Sequence, residues 1–382
     1  MINYELLRTI KYSVFKGDCP EIEDAPALLK DIKRHAVMPL ISEEVFKDDI
    51  DASAQIKKAR SANLYNFIKH SNAIKELNRI FYPYKPVILK GFSAGRYYSE
   101  IALRTVGDID FMLPGLDFDK AVSIMADNGY ECTDTVSDEI SPRHKSYDKG
   151  NVHFEMHRYF SRNETEKDKA LDKILASTQP VKITTKNAEF YTFPDIKNGL
   201  VLIEHIKHHI ISGMGLRQII DWAVYVQNVF DDEAKENEFL KLAKELGLEN
   251  LAVYATRLCE IYFGIKEHEF SKDANDDTVV TLMEEIFESG NFGRSRDKLT
   301  SKAVTFLESE NIFARLKKGG MCRWKFAQNH KWARPFAPFY QIGFIIVYTV
   351  KSLISGNKFK GVRQIRSKHD ILISELGLRE KE

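Results

Sequence analysis

The nine residues Val152-His-Phe-Glu-Met-His-Arg-Tyr-Phe160 constrain this chain more than any other stretch. Val152, Phe154 and Met156 alternate with His153, Glu155 and His157. A period of two gives one apolar and one polar face only in an extended strand. The preceding Lys149-Gly150-Asn151 is turn chemistry, so His144–Asp148 and Val152–Tyr159 read as a β-hairpin. One face of that hairpin packs on a core, and the other presents a glutamate between two histidines.

A second strand repeats the logic upstream. Val87–Leu89 is a short apolar run that ends in Lys90-Gly91, a strand feeding a tight turn. Asp108–Leu113 follows, and alternation in Asp108-Ile-Asp110 puts both carboxylates on one face. Carboxylates this close repel unless a cation neutralises them. Mg²⁺ suits the task, because it takes oxygen ligands and sits between one or two carboxylates and substrate phosphates. Glu155 would add a third acid and complete a two-metal site for phosphoryl or nucleotidyl displacement. The imidazoles of His153 and His157 leave a zinc or iron site open, and with it a His/Glu metal-dependent hydrolase.

Around these strands the pattern is helical. Apolar residues recur at steps of three and four through residues 2–82 and again from Asp195 onward, where Gly199–Ile211, Leu216–Phe230, Glu233–Leu246, Asn250–Phe263 and Val279–Glu288 read as helices. Ser93–Ala102 and Asp119–Asn128 read as helices within the central part, Tyr130–Val136 as a strand, and Lys182–Thr185 with Glu189–Phe193 as a strand pair. The expected fold is α+β. It divides into an N-terminal helical segment (1–82), a mixed core (83–194), a helical domain (195–310) and a basic C-terminal segment (311–382).

The run Leu89-Lys90-Gly91, then Arg104, then Asp108-Ile-Asp110, then the glutamate-histidine strand resembles a bacterial family of uncharacterised nucleotidyltransferases within the polymerase-beta nucleotidyltransferase superfamily. The likeness covers residues 87–160 well and 195–222 more loosely. It implies a polymerase-beta-type core that moves a nucleoside monophosphate from a nucleoside triphosphate to a hydroxyl acceptor. By the same resemblance Asp108, Asp110 and Glu155 are catalytic and hold two Mg²⁺. Gly91 and Ser93 form the turn at the triphosphate with Lys90 beside it, and Arg104 faces the phosphates. Independently of the resemblance, His157 shares the polar strand face with Glu155 and is a candidate substrate contact. The turn departs from the family in one respect: it reads Gly91-Phe92-Ser93 where a small residue is usual. Phe92 therefore keeps a second reading open, a non-catalytic nucleotide-binding or regulatory protein on the same fold.

His205, His208 and His209 share one face of a predicted helix, with Arg217 and Asp221 on the next. The set is either a polar face between packed helices or part of a substrate pocket, whereas Trp222 reads as core. The four cysteines form no CxxC pair, which excludes a disulfide framework and a structural zinc knuckle as the organising device. The N-terminus carries charges inside its apolar stretch and lacks a small-residue cleavage site, so a cytoplasmic protein is expected.

Charge is distributed unevenly. The whole chain carries 56 Lys and Arg against 55 Asp and Glu, yet residues 311–369 contain thirteen Lys and Arg and no acid at all. The apolar run Phe336–Val350 inside this stretch falls short of the ~20 residues of a spanning helix. The segment is expected to contact an anionic membrane, at the inner face, or another polyanion without crossing the bilayer.

Overall fold

The computed structural model describes residues 2–134, 143–291, 312–324, 326–327, 330–354 and 371–378. Three long helices come first: α1 (Tyr4–Phe15), α2 (Ala25–Arg34) and α3 (Ile50–Ile80). Each begins at a side-chain cap, because the Asn3, Asp24 and Asp49 oxygens accept the backbone N–H groups that the first turn leaves unbonded. The mixed region follows, with β1 (Val87–Ile88), the single-turn helix α4 (Phe92–Gly95), β2 (Ile109–Met112), α5 (Phe118–Asp127) and β3 (Glu131–Cys132). It continues through the hairpin β4 (His144–Lys149) and β5 (Val152–His157), helix α6 (Glu166–Ser177) and the pair β6 (Val181–Thr184) and β7 (Glu189–Thr192). Helices α7 (Asp195–Ser212), α8 (Leu216–Val229), α9 (Glu233–Glu245), α10 (Glu249–Phe263) and α11 (Asp276–Ser289) come next, and then α12 (Ile312–Arg323) and α13 (Ala337–Ile354).

The protein is thus α+β, with one seven-stranded mixed sheet in the order β3-β4-β5-β2-β1-β7-β6. The centre of the sheet matters most. β2 runs parallel to β5 with Asp110 opposite Glu155, and antiparallel to β1. In the hairpin β4 opposes β5 so that His144 faces His157 and Ser146 faces Glu155. The apolar faces of these strands, Ile109, Phe111, Phe154 and Met156, are buried with Phe67, Ile74 and Leu77 of α3. A second core joins α1 and α2 to α7–α11 and takes in Leu372 and Leu376 near the C-terminus. Helices α12 and α13 pack on each other around a small cluster of their own, Met321, Ala327, Ala333 and Ala337. Their approach at Gly320 is close enough that a Cβ there would lie 1.8 Å from the Ala337 carbonyl oxygen.

Two local expectations fail. Residues 93–102 do not form one helix: α4 spans four residues, and a second short turn, Ile101–Leu103, follows after a break. The apolar residues in this stretch are buried from separate short segments, Ala94 from α4 and Tyr98 from the break after it. The strand expected at Tyr130–Val136 is limited to Glu131–Cys132 among the described residues, and 135–136 lie outside them.

Candidate active site

The strand ends around β2 carry the site. The Leu89 N–H donates to the Asp110 carbonyl at 3.0 Å, which fixes the end of β1 beside the acidic strand. The chain then turns at Gly91, whose φ of 60° and ψ of −103° suit glycine and strain any residue with a Cβ. A Cβ there would meet Val106, Arg104 and Asp108 at ordinary contact distances, so backbone geometry rather than space demands the glycine. Phe92 turns inward. It is 1% exposed, stacked on Phe67 at 4.7 Å and edge-on to Phe190 at 5.7 Å. The bulky residue in the turn is therefore a core residue and does not stand over the cavity. Phe92→Gly should cost about 3 kcal/mol or more in stability, as large core truncations do. Denaturant unfolding measures this, and an unchanged midpoint would show that the ring carries no packing.

Asp108, Asp110 and Glu155 each offer a carboxylate oxygen, and these oxygens lie within 4.8 Å of one another. Lys90 Nζ sits 2.6 Å from Asp110 Oδ1, and His157 Nε2 lies 3.0 Å from the same oxygen. Burial by itself would raise the Asp110 carboxyl, but the Lys90 ammonium and His157 outweigh it and hold the group well below the usual carboxylate range. Burial also opposes ionisation of Glu155, yet its hydrogen bond to His157 brings it below its ordinary value. Asp108 is shifted the other way, raised by the Asp110 charge and by burial. The three acids are therefore unequal: one is neutralised by protein cations, and one is left under repulsion.

The acids share their cavity with basic and imidazole side chains. The cavity, about 310 Å³, is lined by the strand-end residues Lys90, Gly91, Arg104, Asp108, Asp110 and Glu155 and by Arg143, His205, His208, His209 and Arg217, together with Gly107, His144, Phe160 and Glu204. Arg143 Nη1 donates to His208 Nε2 at 2.8 Å. Burial lowers His205 and His208 well below the usual imidazole range and His209 to about 3, so these rings present neutral nitrogens. Arg217 is lowered by burial to about 10 and stays charged at neutral pH. Glu204, raised by burial to about 7, has Lys207 Nζ at 3.1 Å.

The sequence-derived residues separate into groups. Lys90, Gly91, Asp108, Asp110 and Glu155 meet in the cavity, and His157 stands directly behind Asp110. Arg104 reaches the cavity wall but is held by Asp221, with Nη2 2.8 Å from Oδ2, while the Tyr98 hydroxyl donates to Asp221 Oδ1 at 2.8 Å. Its pairing with a buried carboxylate ties the loop before β2 to α8 while the side chain still lines the cavity. Ser93 is not at the cavity: its hydroxyl is buried and hydrogen-bonded to Thr192 and Asn198. His153 leaves the Glu155 cluster and pairs with Asp148 at 2.6 Å. The polar-face reading of α7 becomes a cavity wall, and Trp222 is core as expected. Sequence reasoning missed Arg143, His144 and Glu204. The hairpin register, counted from the turn at residue 150, would have placed His144 opposite His157.

No helix among the described residues is long and apolar enough to cross a membrane. The sequence model of a family described as uncharacterised nucleotidyltransferase matches residues 22–264, a span that includes the whole sheet and every residue lining the cavity. No curated protein matches the chain.

Proposed function

The chain belongs to the uncharacterised nucleotidyltransferase family, and from that premise we propose that it is a Mg²⁺-dependent, cytoplasmic enzyme with a polymerase-beta-type core that transfers a nucleoside monophosphate from a nucleoside triphosphate to a hydroxyl acceptor. The observation that carries this reading is the register of Asp110 against Glu155 on adjacent parallel strands, with Asp108 beside them and Lys90, Arg143 and Arg217 lining the same cavity. The donor set fits the metal: three carboxylates from two strands are oxygen ligands of the kind Mg²⁺ takes. Asp108, Asp110 and Glu155 would hold two ions. Bound Mg²⁺ supplies positive charge against the triphosphate and the departing pyrophosphate.

The protein's own groups do the rest. Arg217, Arg143 and Lys90 receive the phosphate oxygens and hold the α-phosphorus in line with the acceptor. Glu155 takes the proton of the acceptor hydroxyl as its oxygen bonds to the α-phosphorus, and the α–β bridging bond breaks to release pyrophosphate. Phe92 gives no support to a non-catalytic reading, because its ring lies under the turn and not in the phosphate path.

Incubation with cell extract and each triphosphate labelled at the α-phosphorus should move label to an acceptor only when Mg²⁺ is present. Label at the γ-phosphorus should leave with pyrophosphate. Glu155→Gln should lower kcat by about 100-fold or more, the scale of lost general-base catalysis, with nucleotide affinity little changed. Transfer of γ-label instead, or an unaltered kcat in Glu155→Gln, would end this assignment.

The basic C-terminal segment adds a location. Trp332, Phe336, Phe339, Ile346 and Val347 are each more than half exposed, at 67%, 53%, 65%, 57% and 56%. Phe336, Phe339, Gly343 and Ile346 recur at steps of three and four, so they form one apolar stripe on and just before α13. An apolar stripe on a stretch with thirteen basic residues and no acid matches an anionic membrane face, which takes apolar side chains and attracts cations. Attachment there is peripheral.

A further inference from the structure

Glu155 belongs to two groups of possible ligands. On one side are Asp108 and Asp110, all oxygen. On the other are His144 and His157, and the three donor atoms of that group also lie within 4.8 Å of one another. His144 Nε2 is 3.9 Å from Glu155 Oε1, and His157 Nε2 is 3.5 Å from Glu155 Oε2. The rings of His144 and His157 stand 5.2 Å apart across the hairpin, on directly opposed residues.

The orientation of His157 carries the argument. Its Nδ1 lies 3.4 Å from the Tyr159 carbonyl oxygen. That leaves Nε2 to face two carboxylates, Asp110 Oδ1 at 3.0 Å and Glu155 Oε2 at 3.5 Å. His157 has no solvent exposure, so only protein groups or a bound ion can meet Nε2. A backbone carbonyl holding the far ring nitrogen is the arrangement that fixes a ligating histidine in its metal-binding tautomer.

We propose that His144, Glu155 and His157 bind a divalent cation of the borderline class, Co²⁺ or Zn²⁺, that Mg²⁺ does not displace. Mg²⁺ prefers an all-oxygen shell at near-ideal octahedral geometry, whereas two imidazoles and one carboxylate suit the later transition metals. Glu155 then joins two unlike positions, an oxygen site for the nucleotide's Mg²⁺ and a nitrogen-rich site on the β4 side. The proposal rests on the nucleotidyltransferase reading only for the occupant of the oxygen site.

The test uses Co²⁺ as the probe on the full-length, metal-stripped, nucleotide-free protein in excess Mg²⁺. Equilibrium dialysis gives the stoichiometry, and visible absorption reports imidazole ligation. One Co²⁺ per chain should be retained with a ligand-field spectrum. His144→Gln and His157→Gln should weaken it by at least about 100-fold, the upper end of what loss of an outer-shell partner costs. Asp108→Asn should retain it. If His157→Gln fails to fold, as melting would reveal, His144→Gln decides alone. Displacement of Co²⁺ by Mg²⁺ in the wild type overturns the proposal, as does undiminished binding in His144→Gln or loss of Co²⁺ in Asp108→Asn. A protein that moves no nucleotide but keeps Co²⁺ in this pattern leaves the metal site standing, so failure of the transfer reading is a separate result.

Discussion

Asp110→Asn and Asp108→Asn will both abolish nucleotidyl transfer, but they will move the stability of the metal-free protein in opposite directions. Asp110 is the partner of a buried ammonium: Lys90 Nζ lies 2.6 Å away, and the two side chains are 16% and 2% exposed. Neutralising Asp110 leaves that charge without its counter-ion, and breaking a buried pair from one side costs about 3 kcal/mol or more. Crowding among the acids would suggest the reverse, since removing one carboxylate relieves the others. The relief belongs to Asp108 instead, whose carboxyl is raised by Asp110 and by burial.

The signs follow from linkage. A carboxyl raised in the fold costs stability once it ionises, so at neutral pH Asp108 destabilises the empty site, and asparagine removes that cost. Asp110 is held below its ordinary value, so it stabilises at neutral pH and loses that contribution as pH falls through its folded value. Thermal melts in a chelating buffer should therefore rise for Asp108→Asn and fall for Asp110→Asn. Full transfer activity in either variant would remove the carboxylates from the mechanism, and matching shifts would show that Lys90 is not bound to Asp110 as described.

The acidic centre was legible because it depends on local geometry. A period of two needs only neighbouring residues, and Asp110 and Glu155 lie on strands whose apolar faces, Phe111 and Phe154 among them, leave one way to face the core. His144 was legible in principle through the same hairpin register. Other features arise only from tertiary contact. Arg104 and Asp221 are 117 residues apart, and nothing in the sequence around Arg104 says that a buried carboxylate will pair with it. Ser93 reads as a phosphate-loop residue until Thr192 and Asn198 close over it. The three histidines of α7 announced a polar stripe but not whether it faced solvent, a helix or a cavity. That depends on how α7 sits against the sheet, which the helical period does not encode.

The basic C-terminal segment should carry the protein onto anionic vesicles at low salt and leave neutral vesicles almost untouched. Each Lys or Arg near such a surface contributes about 1 kcal/mol, and the attraction decays within a Debye length, so added salt should release most of the bound protein. Reversing Lys317, Lys318, Lys325 and Lys331 to Glu removes roughly 4 kcal/mol of attraction, about a thousandfold in partitioning, before any repulsion is counted. Phe339→Asp and Ile346→Asp test the apolar stripe separately, since both side chains are more than half exposed and their loss leaves the hairpin core of Met321, Ala333 and Ala337 in place. The cavity lining found among the described residues runs from Lys90 to Arg217, so transfer to a soluble acceptor should persist while attachment is lost. Sedimentation with vesicles of mixed anionic and zwitterionic lipid measures the partitioning. Equal binding to neutral and anionic vesicles would reject the electrostatic half of the idea. Binding to neither, with tight and salt-sensitive binding to RNA, would reject the membrane altogether and make a nucleic acid the partner of the same charges.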